Sequence, residues 1–448
     1  MRSGATTKDR RAIPFVGAFE STYQPAHDVD GTETTDHHRR WRSDLALLRD
    51  SGVTRLRYPV RWHRVEPAPG EYDWRHTDEV FEWMADAGLV PMVDLLHHTS
   101  YPRWIDGFTD SAFGPAYLRF VEQVARRYPW IAEYTLCNEP FTTFLLCGQE
   151  GIWPPYRTGL GGFVEVAGAV LPFLTEASRR CRELLPEARH VWIDVCERHV
   201  GTTAGGRRYA AFANDRRFFV LDAYVGRPLD LDRPFVRAVA EAGGEHLLTL
   251  DPGHVDVVGL DYYAHCQWEF TGAEGQGRMH ASDPAPLAAL IVEYAERYER
   301  PVALTETNIR GYASDRASWL KYTLEQCELA VEAGVELDGY CWFPFVDSCD
   351  WDSVLCRCEG NVDPVGVYWL DESLERRPSC MSESYQRAAR GAPAADLPAY
   401  RFRPPVDGWL RGWLPQMAHW DWQQPTEYPW EPPPPEGPVE LRISDVVE

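Results

Sequence analysis

Short apolar runs alternate along this chain with amphipathic stretches, and Gly or Pro often separates the two. A short apolar run bounded by turn residues predicts a buried strand, whereas apolar positions three and four residues apart predict a helix. The pattern predicts strands at 14–19, 53–60, 89–96, 131–139, 190–195, 255–260, 302–304 and 337–343. It predicts helices at 44–48, 77–87, 116–127, 164–185, 284–298 and 319–333.

Strands that alternate with helices are typical of a parallel sheet, and eight such units can close into a barrel. We therefore predict an α/β fold, a (β/α)₈ TIM barrel, over residues 13–391. Such a barrel needs only about 250 residues. The remaining residues are expected as insertions, mainly in the loops that lead from a strand to the next helix.

The composition changes after Gly391, because residues 392–448 are rich in Pro and Trp. We predict an extended C-terminal tail here, since Pro-rich chain cannot build a core of its own. An arm whose tryptophans pack on the outside of the barrel is the favoured interpretation. A segment that docks on a partner subunit or borders the cleft is the alternative, and a homo-oligomer is left open.

The net charge of −23, from 68 acidic and 45 basic residues, bears on partners. An acidic surface repels phosphate backbones and anionic lipids, so we expect neither nucleic acid nor a membrane as a partner. The N-terminal residues lack the apolar core of an export signal, and no window approaches the roughly 18 apolar residues of a membrane span. We expect a cytoplasmic protein.

The eleven cysteines are scattered and odd in number, so they do not form a regular disulfide framework. We expect mostly buried, free thiols. The densest group is Cys349, Cys356 and Cys358, with Cys341 upstream. It could bind zinc or close a disulfide, but its spacing differs from Cys-x₂-Cys and favours free thiols.

Two glutamates lie where predicted strands end: Glu139, after Asn138, and Glu306, after Thr305. Strand C-termini share one face of a parallel barrel, so the two carboxyls are expected to meet there. Breaking a glycosidic bond needs such a pair, one protonated and one ionised. Arg57 and Tyr263, from other strand ends, are candidates to keep Glu306 ionised. Either glutamate alone could equally be a structural ion-pair partner.

The chain resembles the family-1 β-glycosidases, which belong to the clan of (β/α)₈ retaining glycosidases. The resemblance runs in family order over about residues 13–390. It rests on the stretches 18–24, 36–37 with 41–48, 57–62, 95–97, 138–140, 259–263, 305–306, 342–351 and 366–368.

The resemblance implies a retaining β-glycosidase without a cofactor, acting on a small-molecule or oligosaccharide glycoside. Glu139 would be the acid/base and Glu306 the nucleophile, with Arg57 and Tyr263 orienting the nucleophile. The resemblance also implies five hydrogen-bonding partners and one aromatic platform for the reacting sugar. The partners are Gln24, His97, Asn138, Asp350 and Trp351, and the platform is Trp342.

Several positions depart from the family pattern and put ordinary β-glucosidase specificity in doubt. Gln24 is followed by Pro25, His97 by a second histidine, and Glu306 by Thr307-Asn308. Asp350 stands where the family has a longer Glu, which changes its reach toward the outer sugar hydroxyls. We therefore expect a diverged, specialised member.

Three alternatives to a hydrolase of this kind stay open. A transglycosidase would use an acceptor other than water, and a sugar-binding barrel would have lost turnover. A zinc hydrolase would use the pairs His37-His38 and His97-His98 with Asp94. We expect no metal there, because adjacent residues of a strand point in opposite directions and zinc needs convergent ligands.

Overall fold

The computed structural model describes residues 13–263, 265–273, 277–279, 285–398 and 400. Eight parallel strands form a closed barrel, which confirms the predicted α/β fold and all eight predicted strands. In chain order, β1 to β8 are Phe15–Ala18, Arg55–Pro59, Val90–Asp94, Glu133–Thr135, Arg189–Val195, Val257–Asp261, Val302–Glu306 and Leu337–Cys341.

Each barrel strand pairs with its neighbour in sequence, and β8 returns to pair with β1, where Phe15 lies opposite Tyr340. The register fixes which residues share a level near the C-terminal rim. Arg57 of β2 lies beside Ala18 of β1 and Met92 of β3. Glu306, the last residue of β7, lies beside Asp261, the last residue of β6.

Eight longer helices follow the eight strands and surround the barrel. In order, α1 to α8 are His37–Asp50, Arg75–Ala87, Phe113–Arg127, Gly159–Leu184, Ala204–Tyr224, Leu287–Tyr298, Ala313–Glu332 and Cys380–Ala389. Six of them overlap the predicted helices. The pattern missed α5 and α8. Helix α5 carries Gly205-Gly206 in its first turn and buries the polar residues Arg216 and Asp222 among its apolar positions.

Smaller elements decorate the loops between these units. Short helices lie at Gly31–Thr34, Trp62–Val65, Pro140–Phe144 and Pro234–Glu241, with a π-helical turn at Leu145–Gln149 and 3₁₀ turns at Glu245–Thr249, Trp351–Ser353 and Ala394–Asp396. Strands Arg198–Gly201, Gln267–Phe270 and Gly277–Met279 form a three-stranded sheet. Two-stranded sheets pair Tyr23–Gln24 with Val29–Asp30, Ser348–Cys349 with Val362–Asp363, and Trp369–Leu370 with Arg376–Arg377.

Helix α4 is long and apolar enough to cross a membrane by length and composition, with a mean hydropathy of 1.4 over its best 18-residue window. The sequence analysis found no such window, so that prediction was wrong. In the structure 56% of this window is buried. Buried positions such as Val166, Val170 and Leu174 recur at helical spacing, so α4 packs as an outer helix of the barrel.

All eleven cysteines are free thiols, and nine of them are buried, as the sequence predicts. Cys356 is half-buried and Cys358 is exposed. Residues 392–398 and 400 lie against α7, where Lys321 donates to the carbonyls of Ala394 and Leu397. The predicted tail beyond residue 400 lies outside the described residues, and the boundary at 391 stays a prediction.

Four charged side chains link the N-terminal ends of four strands at the floor of the barrel. Arg55 of β2 donates to both carboxyl oxygens of Glu133 on β4, at 2.6 and 2.9 Å, and to Asp338 on β8, at 2.7 Å. Arg189 of β5 contacts the same two acids. Two arginines and two acids thus balance each other. Glu133, whose side chain is 8% exposed, is the most deeply buried of the four, and its charge is the most costly to leave unpaired.

We predict that Glu133→Ala lowers the free energy of unfolding by about 3 kcal/mol, because it leaves two arginines sharing one acid. Urea unfolding followed by fluorescence measures the loss. The matched control is Glu183→Ala, which removes an exposed carboxylate from its pair with Arg179 on the surface of α4. We expect that control to unfold like wild type, and equal stability of the two variants would contradict the role given to this network.

Candidate active site

A cavity of about 440 Å³ opens at the C-terminal ends of the barrel strands. Glu139 and Glu306 both line it, on opposite walls that follow β4 and β7. The expectation that the two carboxyls share one barrel mouth therefore agrees with the geometry. The site differs from an exposed acidic patch, because both side chains are buried: Glu139 is 7% exposed and Glu306 is 3% exposed.

Glu306 is held from two sides by the residues that the sequence proposed. Nη2 of Arg57 donates to one carboxyl oxygen of Glu306, and the hydroxyl of Tyr263 donates to the other. Arg57 is itself buried and lies over the ring of Phe343, with its guanidinium carbon 4.9 Å from the ring centre. A guanidinium and a phenol O–H both favour the ionised form of a carboxyl.

Glu139 occupies a tight turn between β4 and a short helix. Its backbone is in the left-handed region, with φ of 41°, and Pro140 begins the helix Pro140–Phe144 directly after it. Proline suits the first helical position because its fixed φ matches the helix and no N–H is lost there. The Glu139 N–H donates to the carbonyl of Ile193 on β5 at 3.0 Å, which fixes the turn against the next strand.

The pKa of Glu139 is raised well above its ordinary value. Burial is the largest cause, and the negative charges of Asp261, Glu306 and Asp194 add to it, while Arg57 opposes them. His98 does not offset these charges. Its Nε2 accepts from the Asn138 amide and lies 3.6 Å from the Glu139 carboxyl. Burial lowers the pKa of His98, so its ring is neutral.

A third carboxyl, Asp261, belongs to the same cluster. One oxygen from each of Glu139, Asp261 and Glu306 lies within 4.8 Å of the others. Thr305 donates to one Asp261 oxygen at 2.6 Å, and the other oxygen is buried without a partner. Burial and the charge of Glu306 raise the pKa of Asp261. The sequence indicated Asp261 only as part of the stretch 259–263, although its place two residues before Tyr263 gave a usable signal.

His97 and Asn138 connect Arg57 to the cavity wall. Asn138 accepts from Arg57 at 2.7 Å, so its amide nitrogen faces the two histidines. His97 donates through Nδ1 to Asp94 at 2.8 Å and lines the cavity. Asn138 is fully buried behind that wall, so its contact in the structure is with the side chains that frame the cavity.

Besides Asn138, three further predicted sugar-binding residues do not line the cavity. Gln24 is buried in a hairpin that turns at Pro25. Trp342 faces away from the cavity, and its indole donates to the Val365 carbonyl at 2.8 Å. Asp350 turns into its own loop and accepts the backbone N–H groups of residues 359, 360 and 361 at 3.0–3.1 Å.

Neighbouring residues face the cavity in their place. Phe343 lines it where Trp342 was expected, because consecutive residues along an extended chain point to opposite faces. Its ring stacks against His97 with centres 6.0 Å apart. Glu20 lines the cavity instead of Gln24, and its carboxyl accepts from the Trp351 indole at 2.6 Å. Trp351 thus lies at the cavity as predicted.

Beyond Trp351, the same wall carries further polar groups that the sequence did not indicate. The Trp351 backbone N–H donates to Asp363 at 2.8 Å, and Asp363 contacts the guanidinium of Arg310. A continuous chain of polar contacts thus runs from Glu20 through Trp351 and Asp363 to Arg310. Such a wall offers both donors and acceptors to a ligand rich in hydroxyl groups.

The histidine pairs considered as metal ligands have other partners. His37 contacts Asp44 at 2.7 Å and Tyr58 at 3.1 Å, whereas His38 contacts Arg61 at 2.9 Å. His97 and His98 point to Asp94 and to Thr143. Within the described part of the chain, the group of potential ligands that converges is the carboxyl cluster of Glu139, Asp261 and Glu306.

Comparison with known proteins places these residues in a family context. The model for glycosyl hydrolase family 1 matches residues 3–191. An aryl-phospho-beta-D-glucosidase, BglC, of Bacillus subtilis is 23% identical over 383 residues, which cover 72% of this chain and 80% of that protein. The thermostable beta-glucosidase B of Thermobispora bispora is 24% identical over 373 residues, covering 72% and 74%.

Solved structures share the fold at low identity. The beta-glucosidase from Thermotoga maritima in complex with castanospermine superposes with a TM-score of 0.71 at 16% identity, covering 85% of this chain and 98% of that one. This likeness supports the barrel architecture alone. The family match over residues 3–191 and the two relatives support the predicted resemblance of the chain to glycosyl hydrolase family 1, a family of glycoside hydrolases.

Proposed function

We propose that this protein is a retaining β-glycosidase that hydrolyses a β-glycoside through a glycosyl-enzyme intermediate. The observation that carries the proposal is the pairing of two unlike carboxyls across one cavity. Glu306 is held by a guanidinium and a phenol, while burial and neighbouring negative charges raise the pKa of Glu139. Two such environments divide the roles of base and acid between two chemically similar side chains.

In the first step, the Glu306 carboxylate attacks the anomeric carbon as the bond to the leaving oxygen breaks. Glu139 gives its proton to that oxygen, so the leaving group departs as a neutral alcohol or phenol. The sugar is then an ester of Glu306. The negative charge of the site has moved from Glu306 to Glu139, and the total charge is unchanged.

In the second step, Glu139 takes a proton from a water molecule that attacks the anomeric carbon. The ester bond to Glu306 breaks, the free sugar leaves and Glu139 is again protonated. Arg57 and Tyr263 contribute by stabilising the Glu306 carboxylate when it is the leaving group. The close approach of the carboxyl oxygens supports this double displacement, since inverting enzymes need a wider gap of about 6.5–9.5 Å.

The sugar is proposed to bind on the side of the cavity formed by the loops after β8, β1 and β3. His97, Trp351 and Glu20 line this side and offer hydrogen bonds, and Phe343 offers a ring face. Because the relatives are named as glucosidases, β-D-glucosides are the first substrates to test. The residues that differ from the family pattern make a panel of several β-glycosides necessary.

We predict that Glu306→Ala lowers kcat/KM by at least about a thousandfold for every aryl β-glycoside that wild type cleaves, because no nucleophile remains. Release of the phenol, followed by absorbance, measures the rate. The control is Glu336→Ala, at an exposed position before β8 at the opposite end of the barrel. Undiminished hydrolysis by Glu306→Ala would reject the proposed function.

We also predict that the sugar first released by wild type has the β configuration, because two displacements restore the starting geometry. Proton NMR during the first minutes of hydrolysis distinguishes the β anomer from the α anomer before they equilibrate. A first-formed α anomer would contradict the retaining mechanism and leave hydrolysis itself intact.

We predict that Asp261→Asn shifts the alkaline limb of the kcat/KM–pH profile to lower pH by about one unit or more. Glu139 must be protonated for the first step, so activity is lost as pH rises through its pKa. When its own carboxyl is ionised, Asp261 raises that pKa by its negative charge, and a neutral amide removes this effect. The control is Asp256→Asn, just before β6 at the other end of the same strand. An unshifted limb would exclude Asp261 as a cause.

A further inference from the structure

The cavity has a second side, formed by the loops after β5 and β6. It lies between the walls that carry Glu139 and Glu306, opposite the side that faces Glu20 and Trp351. The rings of Tyr209, Trp268 and Phe270 line it, and the apolar side chains of Val195 and Phe141 adjoin them. If the sugar occupies the first side, as the proposed function requires, this second side receives the leaving group. We call it the leaving-group chamber.

Aromatic rings form a connected surface in the leaving-group chamber. The rings of Tyr209 and Phe270 meet edge to face with centres 4.7 Å apart, and Trp268 lies parallel to Phe270 at 6.2 Å. His265 stacks on Tyr263 at 5.3 Å, which places it one ring away from Glu306. Flat rings at these spacings suit the face of an aromatic leaving group.

Three polar side chains interrupt this aromatic surface. The Glu197 carboxyl lies 3.2 Å from His199 and 3.6 Å from Arg216, and all three residues line the chamber. Burial alone raises the pKa of Glu197. The hydrogen bond from His199, the positive charge of Arg216 and, at low pH, the charges of protonated His199 and His265 lower it to about 2. The Glu197 carboxyl is therefore ionised at neutral pH.

The charges of this polar group cancel. Burial lowers the pKa of His199, and it lowers that of His265 to about 4, so both imidazoles are neutral at pH 7. One carboxylate then faces one guanidinium. A hydroxyl can accept from the guanidinium and donate to the carboxylate, whereas a charged substituent meets repulsion from one of them.

We infer that the leaving group is a neutral aromatic alcohol with a second hydroxyl, whose ring binds Tyr209, Trp268 and Phe270 and whose hydroxyl binds Glu197 and Arg216. This inference rests on the proposed function for the cleavage itself. The contacts with Glu197 and Arg216 narrow the inference from aromatic leaving groups in general to those that carry a second hydroxyl. The chemistry predicts that hydroxyphenyl glycosides are better substrates than phenyl glycosides, and that carboxyphenyl glycosides are worse.

The test uses the full chain and whichever sugar proves active in the aryl glycoside panel. The kcat/KM values are compared for the hydroxyphenyl, methoxyphenyl, phenyl and carboxyphenyl glycosides of that sugar. The methoxy compound keeps the size of the ring substituent and loses its donor. We expect kcat/KM for the hydroxyphenyl glycoside to be about tenfold higher than for the phenyl and methoxyphenyl glycosides. A site that pairs a hydroxyl group binds analogues without that group poorly.

The variant is Glu197→Gln, which keeps the shape of the side chain and removes its charge. We expect the preference for hydroxyphenyl to fall to within about twofold. The carboxyphenyl glycoside should improve relative to phenyl, because Arg216 is then unbalanced. A merely structural role would lower all four rates together. The matched control is Glu293→Gln, since Glu293 pairs with Arg217 and does not line the chamber. We expect the control to keep the wild-type order.

Two results would overturn the inference while the hydrolase assignment stands. The first is equal kcat/KM for hydroxyphenyl and phenyl glycosides in wild type. The second is a disaccharide of the same sugar cleaved faster than every aryl glycoside, which would assign the chamber to a second sugar. Failure of the proposed function gives a different result, because no glycoside in the panel would then be cleaved.

Discussion

One buried guanidinium, that of Arg57, carries the electrostatic balance of the site. Burial alone lowers the pKa of an arginine, yet the carboxylates of Glu306, Asp94 and Asp261 raise that of Arg57. A buried cation is tolerated when it is paired and hydrogen-bonded, and Arg57 meets both conditions through Glu306 and Asn138. Its single charge cannot balance all the acids around it. The pKa values of Glu139 and Asp261 are raised in these surroundings.

That shortage of positive charge explains how two glutamates come to differ. Glu306 receives the guanidinium directly, and it also receives the Tyr263 hydroxyl. Glu139 receives neither, and Nε2 of His98, 3.6 Å from its carboxyl, accepts a hydrogen bond from Asn138. The two environments thus differ because each residue occupies a different strand end, and the charge of Glu306 contributes to the raised pKa of Glu139.

The sequence predicts the barrel well, because each strand is buried on both faces and produces a short apolar run that stands out from the helices. It predicts Glu139, Glu306, Arg57 and Tyr263 as site candidates through strand ends and family resemblance. The sequence does not predict which of two adjacent residues points into the cavity. Trp342 and Phe343 are both aromatic, and alternation alone does not indicate which of them faces inward.

The same limit applies in the loops, because the direction of a side chain there depends on hydrogen bonds that only the folded loop provides. Asp350 has the charge expected of a sugar ligand, but its shorter side chain satisfies three backbone N–H groups of its own loop. Glu20, from the first strand end, then reaches Trp351. The chamber after β5 and β6 was equally hidden, because Glu197, His199 and Arg216 come together through a small sheet and a helix that no local pattern marks.

These differences are concentrated in the parts of the cavity that recognise a ligand, while the groups around Glu139 and Glu306 keep their expected arrangement. Under the proposed function, a change in a recognition loop alters which substrate is positioned and leaves the charge arrangement around the two glutamates in place. The barrel permits this division because strand ends fix Glu139 and Glu306 and loops supply the remaining walls. Divergence of this chain from its relatives is therefore expected to have changed its substrate and kept its chemistry.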